Sequence, residues 1–532
     1  MTILDKETET NTKKSKKKTV KLQDKNKDKD KKIKEKKKQP IWFYKILSFL
    51  LVIITIITLG VVIYNELVSI FVMLPIVFVV LLIVYVIVFI LNKRKLRMWV
   101  KNIFSLFAFL IIILDLIMMF FGTKTLKFLA NITDTGYRVE TYGVYVLKNS
   151  NYKVIEDLSG KSFTYLNSDD DENVKEVIDK IDKKIDIDSD YEDGIDNLVK
   201  SLIDGETDAI IFEVSYEEIL KEEYEDYYKE IRLVDTYDIV DMIDTVKSDV
   251  DITKDPFVVY VSGIDTTGNI QSKARSDVNL LIAVNPSTRN ILMINTPRDY
   301  YVTLHTSGQK DKLTHSGIYG IEESIYTLED FYDIEIDYYV RANFTSVIKM
   351  IDALDGIKVD VPVSFCEQNS DRSFKKQDLI CLDKGYQTLD GEQALALARH
   401  RKTLPTGDRA RGNNQMLVLE AMINKAMSPK ILTKYSSLIN ALQGRVTTNV
   451  STDEMYKFAK KQLKTEGSWT FTKLNAKGTD SRGSCYSVGS AKAYVMEPDE
   501  GYVETIKQTL YNLMNGKTDI KVEEKVTKTT SY

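Results

Sequence analysis

Histidine and cysteine are scarce here, with three of each in 532 residues. None of them form a pair at metal-ligand spacing, which argues against a zinc site. The chain also lacks a small-residue cleavage site between its first apolar run and the next, so that run does not read as a removable signal peptide. Arginine is sparse beside lysine except in one stretch: Arg399, Arg401, Arg409 and Arg411 fall within thirteen positions. A guanidinium is a rigid, permanently charged fork suited to phosphate. What is abundant is apolar sequence near the N-terminus and acid beyond it.

Three apolar runs, roughly 46–64, 68–91 and 100–121, each approach or exceed the ~20 residues needed to cross a bilayer. Residues 1–40 carry 16 Lys against 7 Asp and Glu, and the connection 92–101 carries five basic residues, while Asn65-Glu66-Leu67 carries none. The positive-inside rule then places the tail and the second connection in the cytoplasm, and everything after about residue 122 outside the cell. With a net charge of −4 overall, +9 in the tail and +4 over 41–121, residues 122–532 carry about −17. So acidic a body repels nucleic acid, and a local arginine cluster on it reads as an anion site. Asp115 lies inside the third run, where a carboxylate faces a partner or is buried neutral among helices.

The expected fold class is α/β. The tail 1–40 is low-complexity and reads as disordered; 41–121 reads as three transmembrane helices. Residues 122–254 read as a small accessory α/β domain outside the membrane, 255–516 as a mixed-sheet α/β domain with flanking helices, and 517–532 as a tail. The accessory region offers no catalytic constellation, and its charged run Glu217–Glu230 reads as a solvated helical face. Cys366 and Cys381 bracket a polar stretch between strand-like segments and could pin a hairpin outside the cell; the alternative is buried or unpaired thiols.

Chemistry concentrates after residue 255. Asp265 follows a strand, Arg275-Ser276-Asp277 opens the next, and Pro297-Arg298-Asp299 closes a third. Hard oxygen donors such as Asp265 and Asp277 suit Mg²⁺, with Mn²⁺ as an alternative. A helix over 393–399 should end near His400 because Pro405 disfavours helix before it. Asp408 then reads as the N-cap of a second helix, on which Asp408, Arg411 and Gln415 share a face. His315 and His400 read as structural.

These motifs, with Lys-Leu-Thr-His at 312–315, Asp-Ala-Leu-Asp-Gly-Ile at 352–357, Leu-Asp-Gly-Glu-Gln-Ala-Leu at 389–395 and Gly-Asp-Arg-Ala-Arg-Gly-Asn-Asn-Gln at 407–415, resemble the LytR–CpsA–Psr (LCP) family. The three apolar runs and added outer region resemble its capsule-type CpsA subgroup. The resemblance implies an extracytoplasmic phosphotransferase. Such enzymes move a glycopolymer (capsular polysaccharide, teichoic acid or similar) from an undecaprenyl-pyrophosphate carrier to peptidoglycan at the cell membrane. It implies Mg²⁺ on Asp265 and Asp277, and a pyrophosphate held by Arg275, Arg298, Arg399, Arg401, Arg411 and Gln415. Arg298, Arg399 and Asp408 would carry catalysis, with Asp408 or Asp299 taking the proton of the acceptor hydroxyl. Thr266 and Asn414 stand where many relatives carry a basic or polar residue and an arginine. Two other readings remain: a membrane-anchored envelope sensor, and a hydrolase of the lipid pyrophosphate.

Overall fold

The computed structural model describes residues 41–64, 70–133, 137–167, 172–242, 248–264, 270–373, 375–401, 408–426, 445–451, 454–455, 457–458, 461–462 and 468–518. The chain divides into two compact units, Met1–Thr125 and Leu126–Tyr532.

The first unit holds helices α1 (Ile41–Tyr64), α2 (Ile70–Asn92) and the start of α3 (Met98–Thr133). Two of them, over Ile41–Gly60 and Met98–Phe120, are long and apolar enough to cross a membrane. The described apolar part of α2, Val77–Asn92, is shorter, so the expected third crossing is not established by length. Their contacts are polar as well as apolar: Thr55 Oγ1 donates to Asp115 Oδ2 at 2.7 Å, and Asn92 Nδ2 to Ser48 Oγ at 3.1 Å. The carboxylate at 115 thus has a neighbouring-helix partner, as a charge in this setting requires.

The second unit opens with a five-stranded sheet ordered β3-β2-β4-β1-β5, built from β1 (Tyr137–Leu147), β2 (Lys161–Leu166), β3 (Ile187–Glu192), β4 (Ala209–Glu213) and β5 (Ile231–Met242). Strands β2, β3 and β4 run parallel, and β1 is antiparallel to β4 and β5. Every residue of β4 is buried, because helices cover both faces. On one face α4 (Glu172–Asp182) buries Val174, Val177 and Ile181. On the other α5 (Ile195–Ile203) buries Ile195, Leu198, Val199 and Leu202, the i, i+3, i+4, i+7 stripe of an amphipathic helix. β2, β3 and β5 had no clear sequence signal; β3 reads IDSDYE, with most of its residues exposed.

A six-stranded mixed sheet follows, ordered β10-β9-β6-β7-β8-β11. Its strands are β6 (Phe257–Ile264), β7 (Ser276–Asn285), β8 (Asn290–Thr296), β9 (Tyr338–Asn343), β10 (Val446–Thr448) and β11 (Thr470–Asn475). One face packs Tyr260, Leu281, Leu292 and Ile294 against Ile325 and Leu328 from Ile321–Tyr332 and against Ile506 and Leu510 from Glu500–Met514. The other face packs Leu280, Ile282 and Met293 against Met416 of a helix spanning Asp408–Ala426. Cys366 and Cys381 are disulfide-bonded across a short antiparallel pair; Cys485 is buried and free.

The two sheets meet through α6 (Glu217–Glu223). Its Ile219 and Leu220 are fully buried, and Ile219 packs with Ile318, Val488 and Val495 of the larger sheet's surroundings. Lys312, only 1% exposed, sends its Nζ to Glu223 Oε1 at 2.7 Å. A buried ammonium left alone is strongly unfavourable. Glu223→Ala should therefore destabilise the protein by about 3 kcal/mol or more, read as a lowered urea midpoint, whereas an exposed-pair variant such as Glu225→Ala should leave the midpoint close to the parent's.

Candidate active site

β6 and β8 end, and β7 begins, at one edge of the larger sheet, because β7 is antiparallel to both: Ile264 pairs with Ser276 and Asn279 with Thr296. Ser276 is buried, its Oγ 2.9 Å from Tyr260 Oη and 2.7 Å from Ser262 Oγ. Its neighbours Arg275 and Asp277 then fall on the opposite side of the strand, since side chains alternate. Gly317 lets the following loop close over this turn; a Cβ there would lie 2.5 Å from Ala274 O.

The edge gathers charge. Arg298 Nη1 donates to Asp277 Oδ1 at 2.8 Å, and Thr314 Oγ1 donates to the same oxygen at 3.3 Å. Arg298 Nε lies 3.5 Å from Asp299 Oδ2. Arg275, Asp277, Arg298 and Asp299 are thus brought together; Asp265 lies outside the described residues. Among the described residues there is no group of three or more His, Cys, Asp or Glu able to hold a metal. The donor chemistry present, Asp277 beside the strand end at 264, still fits a hard divalent cation that takes one or two carboxylates and fills its shell with phosphate and water.

The partner of both guanidiniums comes from the first sheet. Glu222 of α6 pairs with Arg275 Nη1 through Oε2 and with Arg298 Nη2 through Oε1, the latter at 2.9 Å. Glu218 Oε2 lies 3.6 Å from Arg275 Nη2. Burial alone would raise the Glu222 carboxyl, but Arg298, Arg275 and Lys312 outweigh it and hold the group at about 2. This corrects the reading of Glu217–Glu230 as a solvated face for its first half only; Glu225, Asp226, Lys229 and Glu230 are exposed. Glu218, Glu222 and Glu223 face cations of the other sheet, which sequence spacing could not reveal. The available signal was the buried Ile219-Leu220 pair inside an otherwise charged run.

The second arginine group sits on α9. Counting Ile321–Tyr332 as α7 and Phe344–Ala353 as α8, α9 spans Gly391–Arg399, starts at a capping box between Asp390 and Gln393, and ends with His400 in extended conformation. Arg399 Nη1 donates to Asn369 O at 3.4 Å; burial and then Arg372 lower its guanidinium below the usual value. Arg401 is exposed. His400 is buried, stacked on Phe365 with ring centres 4.0 Å apart and 3.1 Å from Glu367 Oε2. His315 is buried between Asp311 (2.7 Å) and Ser487 (2.8 Å). Both histidines hold structure, as the sequence suggested.

Helix α10, Asp408–Ala426, connects the two arginine groups. It begins at Asp408, a helical residue rather than the cap anticipated. Arg411 and Gln415 are partly buried one turn apart. Gly412 between them lies so close to β8 that a Cβ would sit 2.0 Å from Asn295 Nδ2, three residues before Arg298. Asn414 is buried and donates to Leu397 O at 3.1 Å, tying α10 to α9. Asn414 is thus held inside the protein by a backbone contact in this chain.

Residues 235–500 match the LytR_cpsA_psr family description, half of the chain. The chain belongs to this family. A description of a DNA polymerase processivity factor also matches 99–212; it starts inside α3, ends inside β4, and is too short a share to show membership. The LytR_cpsA_psr chain is 34% identical over 230 residues to the polyisoprenyl-teichoic acid–peptidoglycan teichoic acid transferase TagU of Bacillus subtilis (strain 168), covering 42% of this chain and 71% of that one. It is also 34% identical over 203 residues to TagU of Bacillus licheniformis, covering 38% of this chain and 62% of that relative. The match thus spans less than two thirds of the latter's length. The crystal structure of B. subtilis TagV overlaps 49% of this chain and 98% of its own, with 30% identity and a TM-score of 0.41.

Glu222 titrates below the ordinary carboxylate value of 4.5, so its ion pairs stabilise the protein fully above about pH 4.5. That contribution is lost as pH falls through about 2. Glu222→Gln should be less stable than the parent at pH 7, and the two thermal unfolding curves should converge as pH drops from 4.5 toward 2. Curves that stay parallel across that window would show that the pair contributes nothing.

Proposed function

We propose that this chain is an extracytoplasmic phosphotransferase that moves a glycopolymer from an undecaprenyl-pyrophosphate carrier to peptidoglycan. The observation that carries the reading is the way Arg275 and Arg298 grip one carboxylate, Glu222, between them. The Glu222 oxygens stand in for anionic oxygens of a diphosphate. Two convergent guanidiniums on a body of charge about −17 form a site for an anion. The named activity of the TagU relatives supplies the polymer, the polyisoprenyl carrier and the acceptor.

In this mechanism the acceptor hydroxyl oxygen attacks the phosphorus that bears the polymer. The P–O bond to the carrier's own phosphate breaks, and undecaprenyl phosphate leaves with the bond electrons. The hydroxyl proton passes to a carboxylate, Asp408 or alternatively Asp299. Arg275 and Arg298 neutralise the phosphoryl oxygens as charge shifts to the leaving group. Arg399, Arg401, Arg411 and Gln415 extend the clamp from α9 and α10. A Mg²⁺ held by Asp277 and Asp265, when bound, supplies further neutralisation of the diphosphate. Glu222 must leave the guanidiniums, or share them, when the diphosphate arrives.

Topology belongs to the same proposal. Helix α2 counts 23 residues, enough for a third crossing, and the basic connection after it sits on the cytoplasmic side. Residues 122–254 are then an accessory domain outside the membrane and 255–516 the transferase domain, an arrangement like the capsule-type CpsA subgroup.

With lipid-linked polymer and peptidoglycan as substrates, Arg275→Ala and Arg298→Ala should each lower transfer by about 100-fold or more while circular dichroism stays unchanged. Transfer that survives both substitutions overturns the proposal. Polymer released into solution with peptidoglycan present identifies a hydrolase instead.

A further inference from the structure

The five-stranded sheet contains a crossover arrangement that the mechanism leaves unused. β2 leads through α4 to β3 on one side of it, and β3 leads through α5, on the opposite face, to β4 on its other side. The strand order therefore reverses between β2 and β4. In parallel α/β sheets the crevice beyond the carboxyl ends of the strands at such a reversal is where ligands bind.

A cavity of about 530 Å³ lies there, within the range of small-molecule sites. Its floor is Leu166-Asn167 at the end of β2, Phe212-Glu213 at the end of β4, and Gly194-Ile195 entering α5. Its roof comes from the other sheet system, with Tyr319, Tyr326 and Tyr486. Carboxylates outnumber cations in the lining. Besides Asp193, Glu322 and Glu323 it holds Glu140 and Glu213, both drawn to Lys273, with Glu213 Oε2 at 3.5 Å. Arg138 is the other cation and is itself paired with Glu140 at 3.0 Å. Glu322 Oε2 is buried with no hydrogen-bond partner among the described residues. Such an orphan acceptor calls for a donor.

An excess of acceptors turns phosphate away and asks for a ligand rich in hydroxyl donors. The tyrosine rings of the roof suit the C–H faces of a sugar, whose slightly positive hydrogens meet the negative ring face. We propose that this cavity is a saccharide-binding site for an uncharged segment of one or two sugar rings. It adjoins the arginine pair, since Lys273 precedes Arg275 by two residues and Tyr216, another lining residue, directly precedes α6. A glycan held here would lie next to the phosphoryl-transfer site. The binding proposal itself stands without the phosphotransferase reading.

The test uses the full-length chain in a detergent without a sugar headgroup. Titrations with cellobiose, maltose, lactose and N,N′-diacetylchitobiose are followed by saturation-transfer NMR, with inorganic phosphate and spermidine as separate arms. At least one disaccharide should bind saturably. Ser307→Trp, which fills the rim from a loop, and Tyr326→Ala, which removes a roof ring, should each weaken it about tenfold or more. Arg275→Ala should leave the sugar titration unchanged even where it stops transfer, so the two readings fail separately. Binding of phosphate or spermidine without any disaccharide overturns the proposal. So does the absence of all binding, or sugar binding that both cavity variants leave intact.

Discussion

A short acidic helix meeting a cationic sheet edge holds the second unit together. Glu222 spans Arg275 and Arg298, and one residue on, Glu223 closes on Lys312 inside the protein. The contacts differ in kind. The Lys312 pair is nearly dry, so breaking it strands a charge. The Glu222 pair is partly open to water, so it can be exchanged for a competing anion at modest loss. One helix thereby serves two purposes. Glu223 fixes where the helix sits, and Glu222 presents a carboxylate to both guanidiniums.

This division bears on selectivity. A tethered carboxylate competes with any ligand at a fixed effective concentration. Weakly charged anions have little to offer two guanidiniums already satisfied by Glu222. A diphosphate brings more charge and more acceptor oxygens. The acidic surroundings, about −17 over residues 122–532, reinforce the same filter, because stray anions meet repulsion before they reach the arginines.

The larger sheet was legible in the sequence because its strands are apolar and its turns carry Gly, Pro, Ser and Asn. β6, β7 and β8 lie where strands were expected, before Asp265, after Arg275 and up to Pro297, and Arg275, Asp277 and Arg298 fall at one edge as their strand-end positions implied. What escaped depends on tertiary partners. Glu217–Glu223 looks solvated because its acids repeat as on a surface helix, and only Lys312, Arg275 and Arg298 make it an interface. The polar edge strand β3 has no apolar alternation to betray it. Asn414 stands where many relatives carry an arginine, and its amide reaches Leu397 O inside the protein, a contact its position in the chain does not reveal.

The packing of α10 sets how the two arginine groups can cooperate. Gly412 has no Cβ because β8 leaves no room for one, and Asn414 fastens the same turn to α9. Arg411 and Gln415 therefore ride on a helix fixed to the strand that leads into Arg298, while Arg399 ends the helix that Asn414 grips. Close backbone packing at Gly412 and the Asn414 hydrogen bond fix where Arg411 and Arg399 start from. Two guanidiniums held side by side repel, and a carboxylate between them relieves the repulsion. Glu222 provides that relief for Arg275 and Arg298 in the resting protein, so the acid helix and these two arginine motifs work as one ionic group.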